Sequence, residues 1–120
     1  MFSLEQQEIF DRYKHPQFAG SFEDADLIAE GINQSCGDEV KIFLKLDDKK
    51  ITKARHICRA CAICTASTDF LLEKLEGESI EVIDTISVEE ITERVGIPLS
   101  PIRLKCALLP LEALKNTIKA

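Results

Sequence analysis

The chain reads as an α+β fold, a three-stranded antiparallel sheet packed against several helices in a sandwich. Three observations predict it. A capped helical pattern opens the chain, alternating apolar and polar residues follow as far as position 57, and helical spacing returns from position 62 onward.

The elements follow in order. In SLEQQEIFDRYK, Ser3 can cap a helix, and Gln6 sits three residues on, as in a capping box. Ile9, Phe10 and Tyr13 are its expected apolar face. HPQFAG ends it, because Pro16 restricts the residue before it and Gly20 permits a turn. Residues 25–33 form a weaker strand candidate, interrupted by Gly31. Residues 39–46 alternate better, with Val40, Ile42, Leu44 and Leu46 on one face and Lys41 and Lys45 opposite. A polar turn over 47–50 leads into a third strand at about 51–57. The three read as a meander with one covered face. Ile63, Ala66, Phe70 and Leu71 or Leu75 then place a helix over about 62–76, stopped by Gly77. Residues 80–86 suggest a short helix. Ser87 and Glu90 open another that Gly96 closes. IPLSP, with Pro98 and Pro101, is expected to be an extended connector. The last helix, about 102–119, contains Pro110, so a kink or a split into two shorter helices is expected there.

At 120 residues the chain is expected to be one domain, 1–120. Its apolar fraction of 45% and charged fraction of 30% exclude disordered and fibrous classes. No apolar run approaches the roughly 20 residues of a membrane span, and no leader pattern opens the chain, so the expected location is cytoplasmic. A net charge of −6 argues against nucleic acid as a partner, which calls for a basic face. The acidic residues Glu23, Asp24 and Asp26 and those over 73–93 read as a solvated surface.

Cysteine carries the chemical signal. The five, at 36, 58, 61, 64 and 106, are an odd number in a chain expected to lie in a reducing compartment. That argues for metal, iron–sulfur or sulfur-transfer chemistry over a disulfide framework. In Cys36–Gly37–Asp38, a thiol and a carboxylate two residues apart can point the same way across a permissive glycine. Cys58, Cys61 and Cys64 form a C-x2-C-x2-C run like that of bacterial ferredoxins, without the continuation those proteins carry. With a helix starting near Ala62, Cys61 lies at its N-terminus, where amides and the helix dipole favour a thiolate. Cys64 reads better as a packed helix residue. In Lys105–Cys106 the adjacent lysine is expected to make the thiol more acidic. His15 reads as a turn residue and His56 as a strand residue, each more readily exposed or packed than a ligand.

Together these segments resemble the iron–sulfur cluster assembly scaffolds of the IscU-type, SufU-type and NifU N-terminal group. Asp11, Tyr13, Pro16, Gly20, Ser21 and Phe22 are similar to the family's D-H-Y-x-x-P-x-N-x-G opening. Ser35–Cys36–Gly37–Asp38 matches its C-G-D. Ala54–Arg55 leads to Cys61 as the second family cysteine, and Arg103–Leu104–Lys105–Cys106 matches the segment around the third.

The resemblance covers essentially the whole chain and implies a SufE/NifU-like sandwich. Cys36, Asp38, Cys61 and Cys106 are the implied ligands of a 2Fe–2S cluster or iron, with zinc as an alternative occupant. Cys106 is the implied persulfide acceptor, with assistance from Lys105. A cysteine desulfurase and apo iron–sulfur proteins are the implied partners, and the role is non-enzymatic unless the SufU-like sulfurtransferase reading holds. Lys105 stands where IscU-type members carry histidine, as in SufU-type proteins, yet the SufU-type insertion before the third cysteine is missing. The IscU-type chaperone motif L-P-P-V-K reads here as Leu99–Ser100–Pro101–Ile102–Arg103, so a dedicated chaperone is not implied. Cys58 and Cys64 are accessory thiols that the family pattern does not require; packing, an alternative ligand set, or a small 4Fe–4S electron-transfer protein using the whole run all stay open for them.

Overall fold

The computed structural model describes residues 3–119. Helix α1 (Leu4–Lys14) is followed by strands β1 (Leu27–Asn33), β2 (Asp38–Asp47) and β3 (Lys50–Arg59). Helix α2 (Ala62–Leu75), a 3-10 segment (Ile80–Thr85), α3 (Val88–Val95) and α4 (Pro101–Lys119) complete the chain.

The capping box at the start of α1 forms as the sequence predicts. The Gln6 amide donates to Ser3 Oγ at 3.1 Å, and the Ser3 amide donates to Gln6 Oε1 at 2.9 Å. The buried face of this helix differs from the expectation. Ile9 is buried, but Phe10 and Tyr13 are exposed and Arg12 is buried in their place. The reason is charge pairing: Arg12 reaches a buried carboxylate on α2, described below, and that pairing turns the helix.

The strands form an antiparallel sheet in the order β1–β2–β3, as a meander. Gly31 pairs with Val40, Ile42 with His56, and Val40 with Cys58. Ala29, Val40, Ile42, Leu44, Ile51, Ala54 and His56 turn to the covered face, where α2 and α4 pack. Gly31 stands where α4 crosses β1. A Cβ there would lie 3.0 Å from Ala113 Cβ and 3.2 Å from Leu109 Cδ1. The glycine that weakens the strand pattern is therefore what lets the helix approach.

Helix α2 is the centre of the core. Every residue from Cys64 to Leu72 is buried, polar ones included. Ser67 Oγ donates to the Ala107 carbonyl at 2.7 Å, and Thr68 Oγ1 to the Cys64 carbonyl at 2.7 Å. Among the described residues, no buried side-chain polar atom lacks a hydrogen-bond partner.

Two expectations about α4 are corrected. The helix starts at Pro101, at the end of the expected connector: Pro suits the first helical position, and Ser100 Oγ accepts from the Arg103 amide at 3.3 Å. Of the kink or split expected at Pro110, the split does not occur, since one helix runs from 101 to 119. Pro110 supplies no amide hydrogen, so the Cys106 carbonyl loses its usual helical donor. Packing of Cys106, Ala107, Leu109, Leu111 and Leu114 into the core offsets that cost.

Candidate functional site

Four segments meet near the β1–β2 turn. Gly37, with φ of +74°, lets the chain turn sharply between Cys36 and Asp38, and its amide bonds to the Asn33 carbonyl at 2.8 Å. Asp38 then opens β2. Cys61 is the N-cap of α2, and Cys106 lies on α4.

Asp38 ties these segments together. Its Oδ1 accepts from the Cys61 amide at 2.9 Å, while Oδ2 lies 3.0 Å from Cys36 Sγ and 3.8 Å from Cys61 Sγ. The Cys36 and Cys106 sulfurs are 3.3 Å apart. One donor atom from each of Cys36, Asp38 and Cys106 falls within 4.8 Å of the others. Cys36 is exposed and Cys61 half-buried, whereas Asp38 and Cys106 are buried. The group therefore opens outward through Cys36.

The electrostatics follow from burial and hydrogen bonding. Burial pushes the Asp38 carboxyl up, but bonds from Cys106, Cys36 and Cys61 outweigh it and hold the group below the ordinary aspartate value. Burial pushes the Cys106 thiol well up, and its contacts with Asp38 and Cys36 add to the rise. This is opposite to the acidity expected from Lys105. Adjacent helical residues diverge by about 100°, and Lys105 is exposed beside Ile32, Asn33, Gln34 and Glu112. Among the described residues it makes no hydrogen bond or ion pair to the cluster. A metal ion entering this group would displace thiol protons and meet two sulfurs and one carboxylate oxygen, those of Cys36, Cys106 and Asp38, with the Cys61 sulfur outside that set.

The C-x2-C-x2-C run does not gather. Cys61 belongs with Asp38, as its place ahead of α2 suggests, and accepts from the Cys64 amide at 3.4 Å. Cys64 is fully buried in the core. Cys58 lies on β3, with its sulfur 3.4 Å from His56 Nδ1. Burial drives the Cys64 thiol far up and the Cys58 thiol to about 11.

One centre escaped sequence reasoning. The Asp69 carboxylate is fully buried in α2 and accepts from Arg12 Nη1 (2.9 Å), the Gln17 amide (3.0 Å), the Phe18 amide (2.8 Å) and His56 Nε2 (2.9 Å). Arg12 also pairs with Glu73 and stacks 4.8 Å from the Phe70 ring centroid. Burial raises the Asp69 pKa, and these bonds, His56 first, outweigh it and leave the carboxylate ionised. The available signal was a single charge in the otherwise uncharged stretch from Ala60 to Leu72.

An antiparallel meander covered by helices on one face, with cysteines from a turn, a helix cap and a helix body near one aspartate, defines a small α+β domain with a thiol-rich candidate metal site. The chain belongs to the family of the NifU-like N terminal domain, whose model matches residues 4–120. It is 31% identical to the iron–sulfur cluster assembly scaffold protein IscU of Thermotoga maritima, over 94% of this chain and 91% of that one. It is 27% identical to the zinc-dependent sulfurtransferase SufU of Bacillus subtilis, over 97% and 90% respectively. Among solved structures, a putative scaffold protein for the SUF system from Fervidobacterium islandicum superposes with a TM-score of 0.83 at 28% identity, covering 98% of this chain and 96% of that one.

Proposed function

We propose that this chain is a scaffold on which iron and sulfide assemble into a transient 2Fe–2S cluster, the cargo, for transfer to apo-proteins. The observation that carries the reading is the meeting of Cys36, Asp38 and Cys106 within 4.8 Å, with Cys61 bonded to the same aspartate. In this reading Cys36, Asp38, Cys61 and Cys106 hold the cargo. Three thiolates bind iron tightly, and the carboxylate is a harder, more exchangeable ligand that leaves the cluster transferable. The whole chain acts as one unit, in the cytoplasm, with sulfur supplied by a cysteine desulfurase as a persulfide on Cys106. The exposed thiol of Cys36, 3.3 Å in front of the buried Cys106 sulfur, supports an approach from that side. Lys105 assists only from the solvent side of α4. The protein is then a platform and not an enzyme.

The same four donors favour a second reading. They suit tetrahedral zinc, and a relative of similar length is named a zinc-dependent sulfurtransferase. Here Cys36, Asp38, Cys61 and Cys106 hold zinc, and the chain accepts desulfurase sulfur as a sulfurtransferase partner. Anaerobic reconstitution with iron, cysteine and a cysteine desulfurase separates the two. The scaffold reading expects visible cluster absorption that moves to an apo-protein. It fails if no cluster absorption develops while zinc co-purifies at one per chain and desulfurase turnover rises.

A further inference from the structure

Cys58 is one of the two thiols that the proposed site leaves unused, and its surroundings are built. His56 and Cys58 are two apart on β3, so both side chains turn to the same face. Their contact is 3.4 Å, from Cys58 Sγ to His56 Nδ1. The other ring nitrogen, Nε2, lies 2.9 Å from Asp69 Oδ1. Asp69 is an ionised carboxylate that already accepts from two backbone amides and Arg12, so it can only accept from the imidazole. The network therefore assigns the proton to Nε2 and leaves the Nδ1 lone pair facing the Cys58 thiol. His56 is 2% exposed, and its backbone is fixed by bonds to Phe18 (2.8 Å) and Gly20 (2.9 Å). Thiol, imidazole and carboxylate stand in line, the arrangement that lets a base take a thiol proton as the sulfur attacks.

A pocket of about 490 Å³ opens at this thiol, lined by Tyr13, Pro16, Gly20, Cys58, Arg59 and Thr65 among others. Its volume falls in the range of small-ligand sites. Arg59 makes no ion pair among the described residues and brings a positive charge to the pocket. We propose that Cys58, His56 and Asp69 form a second sulfur-accepting site, in which Cys58 takes the outer sulfur of a hydropersulfide held in this pocket. The step balances without an added oxidant. His56 Nδ1 takes the Cys58 proton, and the thiolate attacks the outer sulfur of R–S–SH. A new S–S bond forms at Cys58, the old one breaks, and the leaving R–S⁻ takes the proton back from the imidazolium. The products are Cys58–S–SH and R–SH. Because burial keeps the resting thiol protonated, the base is needed. His56 is the catalytic residue here and Asp69 a positioning residue that fixes its tautomer. This inference rests on the sulfur-delivery part of the proposed function and gives that sulfur a second point of entry.

The test uses the full-length chain and cysteine persulfide, with a persulfide-loaded cysteine desulfurase in a parallel arm to separate a free donor from a protein donor. Trypsin cleavage after Arg55 and Arg59 isolates Cys58 on residues 56–59, away from Cys61 and Cys64, so mass spectrometry reads the added sulfur at Cys58 alone. Cys58 is expected to gain sulfur much faster than the buried Cys64 with at least one donor. His56→Ala is expected to slow the gain by about a hundredfold, and added imidazole to restore it, which a merely structural histidine would not allow. Uptake at Cys58 no faster than at Cys64 overturns the proposal, as does a folded His56→Ala variant that loads at the wild-type rate. If His56→Ala fails to fold, the wild-type comparison still decides. Cluster assembly from iron and inorganic sulfide bypasses Cys58. A protein that assembles a cluster that way but never loads Cys58 overturns this inference alone; one that loads Cys58 but assembles nothing overturns the scaffold reading alone.

Discussion

The Cys36 sulfur lies 3.3 Å from the Cys106 sulfur, although the two residues are 70 apart in the chain. That is beyond bonding distance but within reach of a small side-chain movement, and Cys36 is exposed. Metal-free protein treated with a mild thiol oxidant is therefore expected to form a Cys36–Cys106 disulfide before any bond to Cys64. Occupying the site with zinc or iron is expected to suppress it. Peptide mapping without reductant reads both outcomes. A crosslink pattern dominated by Cys64 would show that the two sulfurs do not meet in solution.

Asp38→Ala separates the binding role of the carboxylate from its structural one. If the oxygen ligand makes the cargo exchangeable, the variant should hold a reconstituted cluster severalfold longer and pass it on more slowly, as followed by the decay of its absorption. It also removes the acceptor of the Cys61 amide, 2.9 Å away. Leaving that amide unpaired should cost about 1–3 kcal/mol in denaturant unfolding. A stability loss with an unchanged cluster lifetime would assign Asp38 to the fold alone.

Asp69 anchors three segments to α2 through one buried carboxylate: α1 through Arg12, the following loop through Gln17 and Phe18, and β3 through His56. Asp69→Asn removes the charge and leaves Arg12 under-compensated, so a loss of about 3–5 kcal/mol is expected at neutral pH. The acid limb carries a second signature. The folded-state pKa of Asp69 is depressed, so its stabilisation is complete above the unfolded value of about 3.9 and is lost as pH falls through the lower, folded value. The gap between wild type and Asp69→Asn should therefore begin to close below about pH 4 and vanish only below the lower, folded value. Urea titrations across that range measure the gap, and a gap that persists in acid would deny the charge its role.

The sheet, the capped helices and the pairing of Cys36 with Asp38 were legible because each has a local signature, whereas Cys106, 70 positions from Cys36, joined them only through the family resemblance. Alternation marks β2, Ser3 and Ser87 mark helix starts, and C-G-D marks a turn that aims two donors together. What was not legible depends on pairs far apart in sequence. Arg12 is an ordinary surface residue until Asp69, 57 positions away, gives it a reason to be buried. His56 looked like a strand residue of either kind, because its role is set by Asp69 on one side and Cys58 on the other. Pro110 pointed to a kink or a split, and the split does not occur, since propensity counts the lost hydrogen bond but not the apolar neighbours that hold α4 against the sheet. Lys105 next to Cys106 suggested an acidic thiol, and helical geometry separates the two side chains.

Gly31 supplies the last test, because it reads as a weakness in β1 and acts as a fit. It pairs with Val40, and the space a side chain would occupy is taken by Ala113 and Leu109 of α4 and by Val40 Cγ2, all within 3.3 Å of an added Cβ. Its φ is not in the left-handed region, so backbone strain is not at issue. Gly31→Val should therefore destabilise by overpacking, about 1–3 kcal/mol, in spite of valine's better strand propensity. Because α4 also carries Cys106, pushing the helix off β1 should widen the Cys36–Cys106 spacing and slow their oxidative crosslinking. Ala113→Gly in the same chain removes the 3.0 Å neighbour and should recover part of the loss. Recovery of stability and crosslinking rate together would tie the spacing of the two sulfurs to this contact. A Gly31→Val chain as stable as wild type would show that α4 can shift without cost.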